Sequence, residues 1–73
     1  MRAEVVKTLE KKRSEVSCNN YSESFELAEI IKIISKDPDI SSDDLTKILE
    51  SRLLSADRLG SRRALQETIE LLK

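Results

Sequence analysis

The sequence predicts an all-α protein: short helical hairpins of three to four helices, assembled as a homodimeric bundle. Apolar residues recur at three- and four-residue spacing along most of the chain, while the two-residue alternation of strands is nowhere sustained. Pro38 and Gly60 are its only proline and glycine, so long runs are free of strong breakers. Charged residues make up 37% of the sequence and aromatics 3%, the balance of helices with wide solvent-facing sides. The expectation of two copies comes from size. A chain of this length buries only about 60% of the surface its unfolded form exposes and needs a further source of stability. Cys18 is the single cysteine and histidine is absent, which excludes an internal disulfide and leaves no ordinary structural zinc set. Self-association remains.

The first helix is expected over residues 2–17. Val5, Val6, Leu9 and Val16 mark its apolar side, but Lys12 and Arg13 fall where that side should continue. Glu4, Lys7, Lys11 and Glu15 offer opposite-charge pairs one turn apart, each worth only a few tenths of a kcal/mol. Residues 1–20 therefore read as a charged helix able to be flexible by itself, and 21–73 as the helical dimerisation and regulatory domain. A polar break at Ser17-Cys18-Asn19-Asn20 separates them, with Cys18 as an inert free thiol.

Ser22 or Ser24 can cap the second helix, expected at about 22–36. Leu27, Ile30, Ile31 and Ile34 repeat as i, i+3, i+4 and i+7, which marks them as core. Phe25, Ala28 and Ile33 widen the apolar arc beyond what one neighbouring helix covers, which calls for a second contact surface from this chain or from another copy. Glutamates fill its first half and lysines its end, as the helix dipole favours. The residue before Pro38 is pushed away from helical geometry, so the helix stops at Lys36-Asp37. Ser41-Ser42-Asp43-Asp44 then supplies a serine cap and first-turn carboxylates.

The third helix, about 42–54, carries Leu45, Ile48, Leu49, Leu53 and Leu54; the fourth, about 56–72, carries Leu59, Leu65, Ile69 and Leu72. Ser55-Ala56-Asp57 makes a tight junction in which Ser55 can cap, so these helices should be neighbours. Gly60 inside a helix costs about 1 kcal/mol against alanine. Either it marks a kink or the close approach of another helix backbone, or the fourth helix starts only at an N-capping Ser61.

No nucleophile and base can be assembled without histidine, and one glycine cannot make a phosphate-binding loop. The expectation is a protein that is not an enzyme, with no cofactor, no metal and no small-molecule substrate. Asp43 and Asp44 are more simply helix-start residues, since the spacing, glycine and closing glutamate of a calcium loop are missing. Met1-Arg2-Ala3-Glu4 has no apolar run after its basic residue and no segment approaches a membrane span, so a cytoplasmic location without membrane contact is expected.

Two basic clusters stand out: Lys7, Lys11, Lys12 and Arg13 on the first helix, and Arg52, Arg58, Arg62 and Arg63 towards the end. Arg58 and Arg62, four apart, share a face that dimerisation would double, giving a surface for DNA phosphates or for an acidic protein. The plain alternative is a solvated face paired with Asp57, Glu67 and Glu70. A helix-turn-helix made of the last two helices fits poorly, because Leu65, Ile69, Leu71 and Leu72 are too apolar for an exposed recognition helix.

Leu27-Ala28-Glu29-Ile30-Ile31, Lys36-Asp37, Ile40-Ser41, Leu45, Ile48, Arg52-Leu53 and the leucine-rich final helix together resemble the small YmgB/AriR and YcgZ proteins of enterobacteria. The resemblance covers roughly residues 25–72, finds no counterpart for 1–20, and departs at Pro38, where glycine or a flexible residue is commoner. It implies a homodimer that regulates biofilm formation, capsule synthesis and acid response by connecting signals to the Rcs two-component phosphorelay. A DNA-binding role is also proposed for that family. It assigns no functional residues, so the core and dimer-interface set rests on periodicity: Leu27, Ile30, Ile31, Ile34, Leu45, Ile48, Leu49, Leu53, Leu65, Ile69 and Leu72. The alternatives are a nucleoid-associated-like DNA-binding modulator acting through Arg52, Arg58, Arg62 and Arg63, and a phage or plasmid inhibitor or antitoxin.

Overall fold

The computed structural model describes residues 2–16 and 20–73. These hold four helices and no strand: α1 (Arg2–Glu15), α2 (Tyr21–Lys36), α3 (Ser42–Ser55) and α4 (Leu59–Leu71). The expected polar break and the Cys18 thiol lie at 17–19, outside the described residues.

Helices α2 and α4 form the most extensive pair, with α1 laid on α2 and α3 laid on α4. The spacing read from the sequence explains α2. Leu27, Ile30 and Ile34 are buried, and Ile31 and Ile33 pack at the edge of the same cluster. Leu45 and Leu49 of α3, and Ala64 and Leu65 of α4, close the core from the other side. Thr68 is buried among them, its hydroxyl donating to the Ala64 carbonyl oxygen at 2.7 Å, so it brings no unmet polar group inside.

Helix α1 is anchored more firmly than its interrupted apolar side suggests. Leu9 is fully buried in the common core, with Val5, Val6 and Val16 packed around it. Lys12, which breaks the stripe, reaches across to α4 and places its Nζ 2.9 Å from Glu67 Oε1. A charge in the apolar stripe is tolerated because it meets a partner from another helix.

Helix ends follow the capping logic unevenly. Ser41 Oγ accepts the Asp44 N–H at 3.1 Å, the capping expected of the Ser-Ser-Asp-Asp run. Across Pro38 and Asp39, the Ile40 N–H donates to the Asp37 carbonyl and closes a tight turn. At α2 the cap is Asn20, without a side-chain capping bond; Ser22 and Ser24 both lie inside the helix. Ser55 is likewise the last residue of α3 and not a cap for α4, which begins at Leu59 behind Arg58.

That start settles how Gly60 is tolerated. A Cβ built there would lie 2.5 Å from Ser22 Oγ, 2.7 Å from Asn20 Oδ1 and 2.8 Å from the Glu23 backbone nitrogen. The first turns of α4 and α2 touch, and only a hydrogen at residue 60 lets them do so. Ser61 lies within the helix and donates its hydroxyl to the Ser22 carbonyl oxygen at 3.4 Å, which reinforces the contact.

Candidate docking groove

Where α2 and α4 begin and α3 ends, a groove of about 770 Å³ opens to solvent. Tyr21 and Phe25 of α2 form one wall, Ser51 and Ser55 of α3 another, and Asp57, Arg58 and Ser61 the rim at the α3–α4 junction. Tyr21 and Phe25 are the only aromatic residues of the chain. Both stay outside the core, 78% and 63% exposed, and Leu54 and Leu59 at the same end of the bundle are 89% and 82% exposed. Tyr21 and Phe25 thus stand in water on the wall of the opening while the core is built from leucine, isoleucine and alanine.

The floor of the groove is an ion pair. Arg52 of α3 directs Nε (2.8 Å) and Nη2 (2.7 Å) at a single oxygen, Oε2, of Glu26 on α2. Glu26 is 8% exposed and Arg52 36%, so the pair is half sheltered and its two charges cancel where an apolar ligand would rest. It also ties α2 to α3, which otherwise meet little.

The arginines expected to form one cationic face are used differently. Arg62 donates from Nη1 to the carbonyl oxygens of Leu53 and Ala56, both at 3.2 Å, and so braces the end of α3, where the Leu53 carbonyl also accepts the Ala56 N–H. Arg52 is held by Glu26, and Arg63 Nη1 lies 3.9 Å from Glu23 Oε1. The expected partners of this cluster are engaged elsewhere, Glu67 with Lys12 and Glu70 with Lys73. Arg58 alone of the four makes neither an ion pair nor a side-chain hydrogen bond among the described residues, and its neighbour Asp57 makes no ion pair there. Sequence spacing places Arg58 and Arg62 on one face but carries no sign that one of them serves as a brace inside the chain.

The residues expected at the core and dimer interface are divided by the fold. Leu27, Ile30, Ile34, Leu45, Leu49 and Leu65 are buried within a single copy; Ile31, Leu53, Ile69 and Leu72 pack partly exposed against them. Ile48 is exposed on α3. Six of the eleven positions are therefore consumed by packing within one chain and cannot at the same time face a second copy. What the spacing did not reveal is the aromatic wall. The signal that could have found it is compositional: a chain with one tyrosine and one phenylalanine places both within five residues, at the start of its most apolar helix.

No helix among the described residues is long and apolar enough to cross a membrane. Comparison of the chain with protein-family models, curated proteins and solved structures finds no match.

Proposed function

We propose that this chain is a non-enzymatic regulatory adaptor that acts by protein–protein binding, as a homodimer that presents an exposed face to a signalling protein. The observation that carries the reading is the placement of Tyr21 and Phe25 on the wall of an open groove. Aromatic side chains offer more buried area than any others in this sequence, and centres of protein interfaces are enriched in them. A monomer built for its own stability would turn them inward.

The resemblance of residues 25–72 to the YmgB/AriR and YcgZ proteins extends the proposal. The signalling partner is then a component of a two-component phosphorelay controlling biofilm, capsule or acid response, and the adaptor works in the cytoplasm. A DNA-binding modulator remains the competing idea. It has less to draw on, because Arg52, Arg62 and Arg63 are engaged within the chain and Arg58 alone is unpaired among them.

The test is a surface-immobilised binding assay against purified Rcs phosphorelay proteins and, separately, duplex DNA at physiological salt. Saturable binding to a phosphorelay protein, lost in Phe25→Asp, is expected. Binding to the duplex that weakens steeply with added salt and disappears in Arg58→Glu would replace the adaptor by a DNA modulator. Binding to neither would sink the phosphorelay connection.

A further inference from the structure

We infer that the groove is the self-association surface, with Tyr21 and Phe25 of one copy seated in the groove of a second copy of this chain across a two-fold axis. The inference rests on the protein-binding reading of the same groove and names its occupant.

Shape supplies the first argument. A two-fold interface needs a patch that is complementary to itself, and here the protruding element and the recess are adjacent. Tyr21 and Phe25 stand beside an opening of about 770 Å³ that no side chain of their own copy fills. Rotation about an axis through the groove mouth brings each aromatic pair over the other copy's recess, so four aromatic rings leave water together.

Charge supplies the second. Lining the groove are two carboxylates, Glu26 and Asp57, and two guanidiniums, Arg52 and Arg58, so the surface as a whole is neutral. A strongly acidic or basic partner would meet as much repulsion as attraction, whereas a second copy brings a matching set. Glu26 and Arg52 are already joined within each copy, which leaves Asp57 and Arg58 at the rim. The two-fold operation pairs Asp57 of each copy with Arg58 of the other, so the contact forms twice.

Size supplies the third. A stable interface takes about 800 Å² from each partner, roughly a sixth of the 5071 Å² this chain exposes. The exposed surface such an interface would draw on is the aromatic wall with the rest of the groove lining, and Leu54 and Leu59 are exposed where α3 ends and α4 begins. The stripe residues Leu27, Ile30 and Ile34 cannot contribute, because they are already buried in the chain.

Light scattering after size-exclusion chromatography, across a dilution series, tests the inference. The wild-type chain should run at twice its 8.3 kDa mass. Tyr21→Ser/Phe25→Ser should run at that monomer mass with unchanged helical circular dichroism, since both side chains lie outside the core. Asp57→Arg and Arg58→Asp should each weaken the dimer about tenfold, because a rim pair is modest but present twice. The double exchange Asp57→Arg/Arg58→Asp should recover most of that loss. A wild-type monomer overturns the second copy as occupant, and the adaptor reading then stands or falls on the phosphorelay assay with Phe25→Asp. A dimer that survives Tyr21→Ser/Phe25→Ser overturns the groove as its location while leaving a homodimer in place. A double exchange that recovers nothing overturns the two-fold pairing of Asp57 with Arg58.

Discussion

Phe25 and Leu27 stand two residues apart on α2, yet Phe25 is 63% exposed and Leu27 only 1%. Two residues turn the helix by about 200°, so the two side chains leave on nearly opposite sides. Leu27 meets the close contact of α2 with α4, where Ile30, Ile34, Ala64 and Leu65 complete the packing. Phe25 meets the junction between α3 and α4, where the chain turns away and leaves a recess. Hydrophobicity alone does not decide which residue is core. Placement of the neighbouring helices does, and the contrast separates what holds one copy together from what remains for a partner.

The largest expected effect lies on the inner side. Ile30→Ala removes a fully buried side chain and leaves a cavity, and should cost about 2–5 kcal/mol of unfolding free energy in urea titration. Phe25→Ala, a larger truncation, should cost within about 0.5 kcal/mol when measured under conditions where the chain is monomeric. Similar losses at both positions would erase the distinction between the two sides of α2.

Gly60→Ala comes next and concerns the boundary between them. At an open helical site the change would stabilise by about 1 kcal/mol. Here the new Cβ meets two side-chain oxygens, which can rotate, and the Glu23 backbone nitrogen, which moves only if α2 moves. A net loss of about 1–3 kcal/mol is expected, the range for overpacking. A gain in stability would mean that the first turns of α2 and α4 separate readily, and that the groove beside them has no fixed shape.

Much of this was legible in the sequence, and the reasons are local. Leu27, Ile30 and Ile34 declare themselves by spacing, Ser41 by its position before two aspartates, and Pro38 by the geometry it forbids. At Gly60, a glycine inside a helix points to a close neighbour among the readings open to it. The parts that stayed hidden depend on partners far away along the chain. Leu9 is buried although its helix has a broken stripe, because Lys12 finds Glu67 fifty-five residues on. Arg62 reads as surface charge until its guanidinium is seen on the Leu53 and Ala56 carbonyls at the end of α3. Phe25 reads as a broadened apolar arc, and only the absence of a covering helix at the α3–α4 junction turns it into a groove wall.

A smaller loss than at Ile30 or Gly60 tests the link between α2 and α3. Arg52→Met keeps an unbranched apolar stem, in a shorter side chain, but removes the donors from which Glu26 Oε2 accepts at 2.7 and 2.8 Å. An exposed pair is worth about 0–1 kcal/mol, and a hydrogen bond to a charged group about 1.5–3. Because Arg52 is partly in water while Glu26 is nearly covered, a loss of about 1–2 kcal/mol is expected, most of it from a carboxylate left without its donor. Glu26→Met added to Arg52→Met should then recover part of the loss, since both partners become apolar and nothing charged remains covered. If the double variant is instead less stable than the single, Glu26 stabilises the chain through contacts other than Arg52, and the carboxylate left without its donor is not the source of the loss.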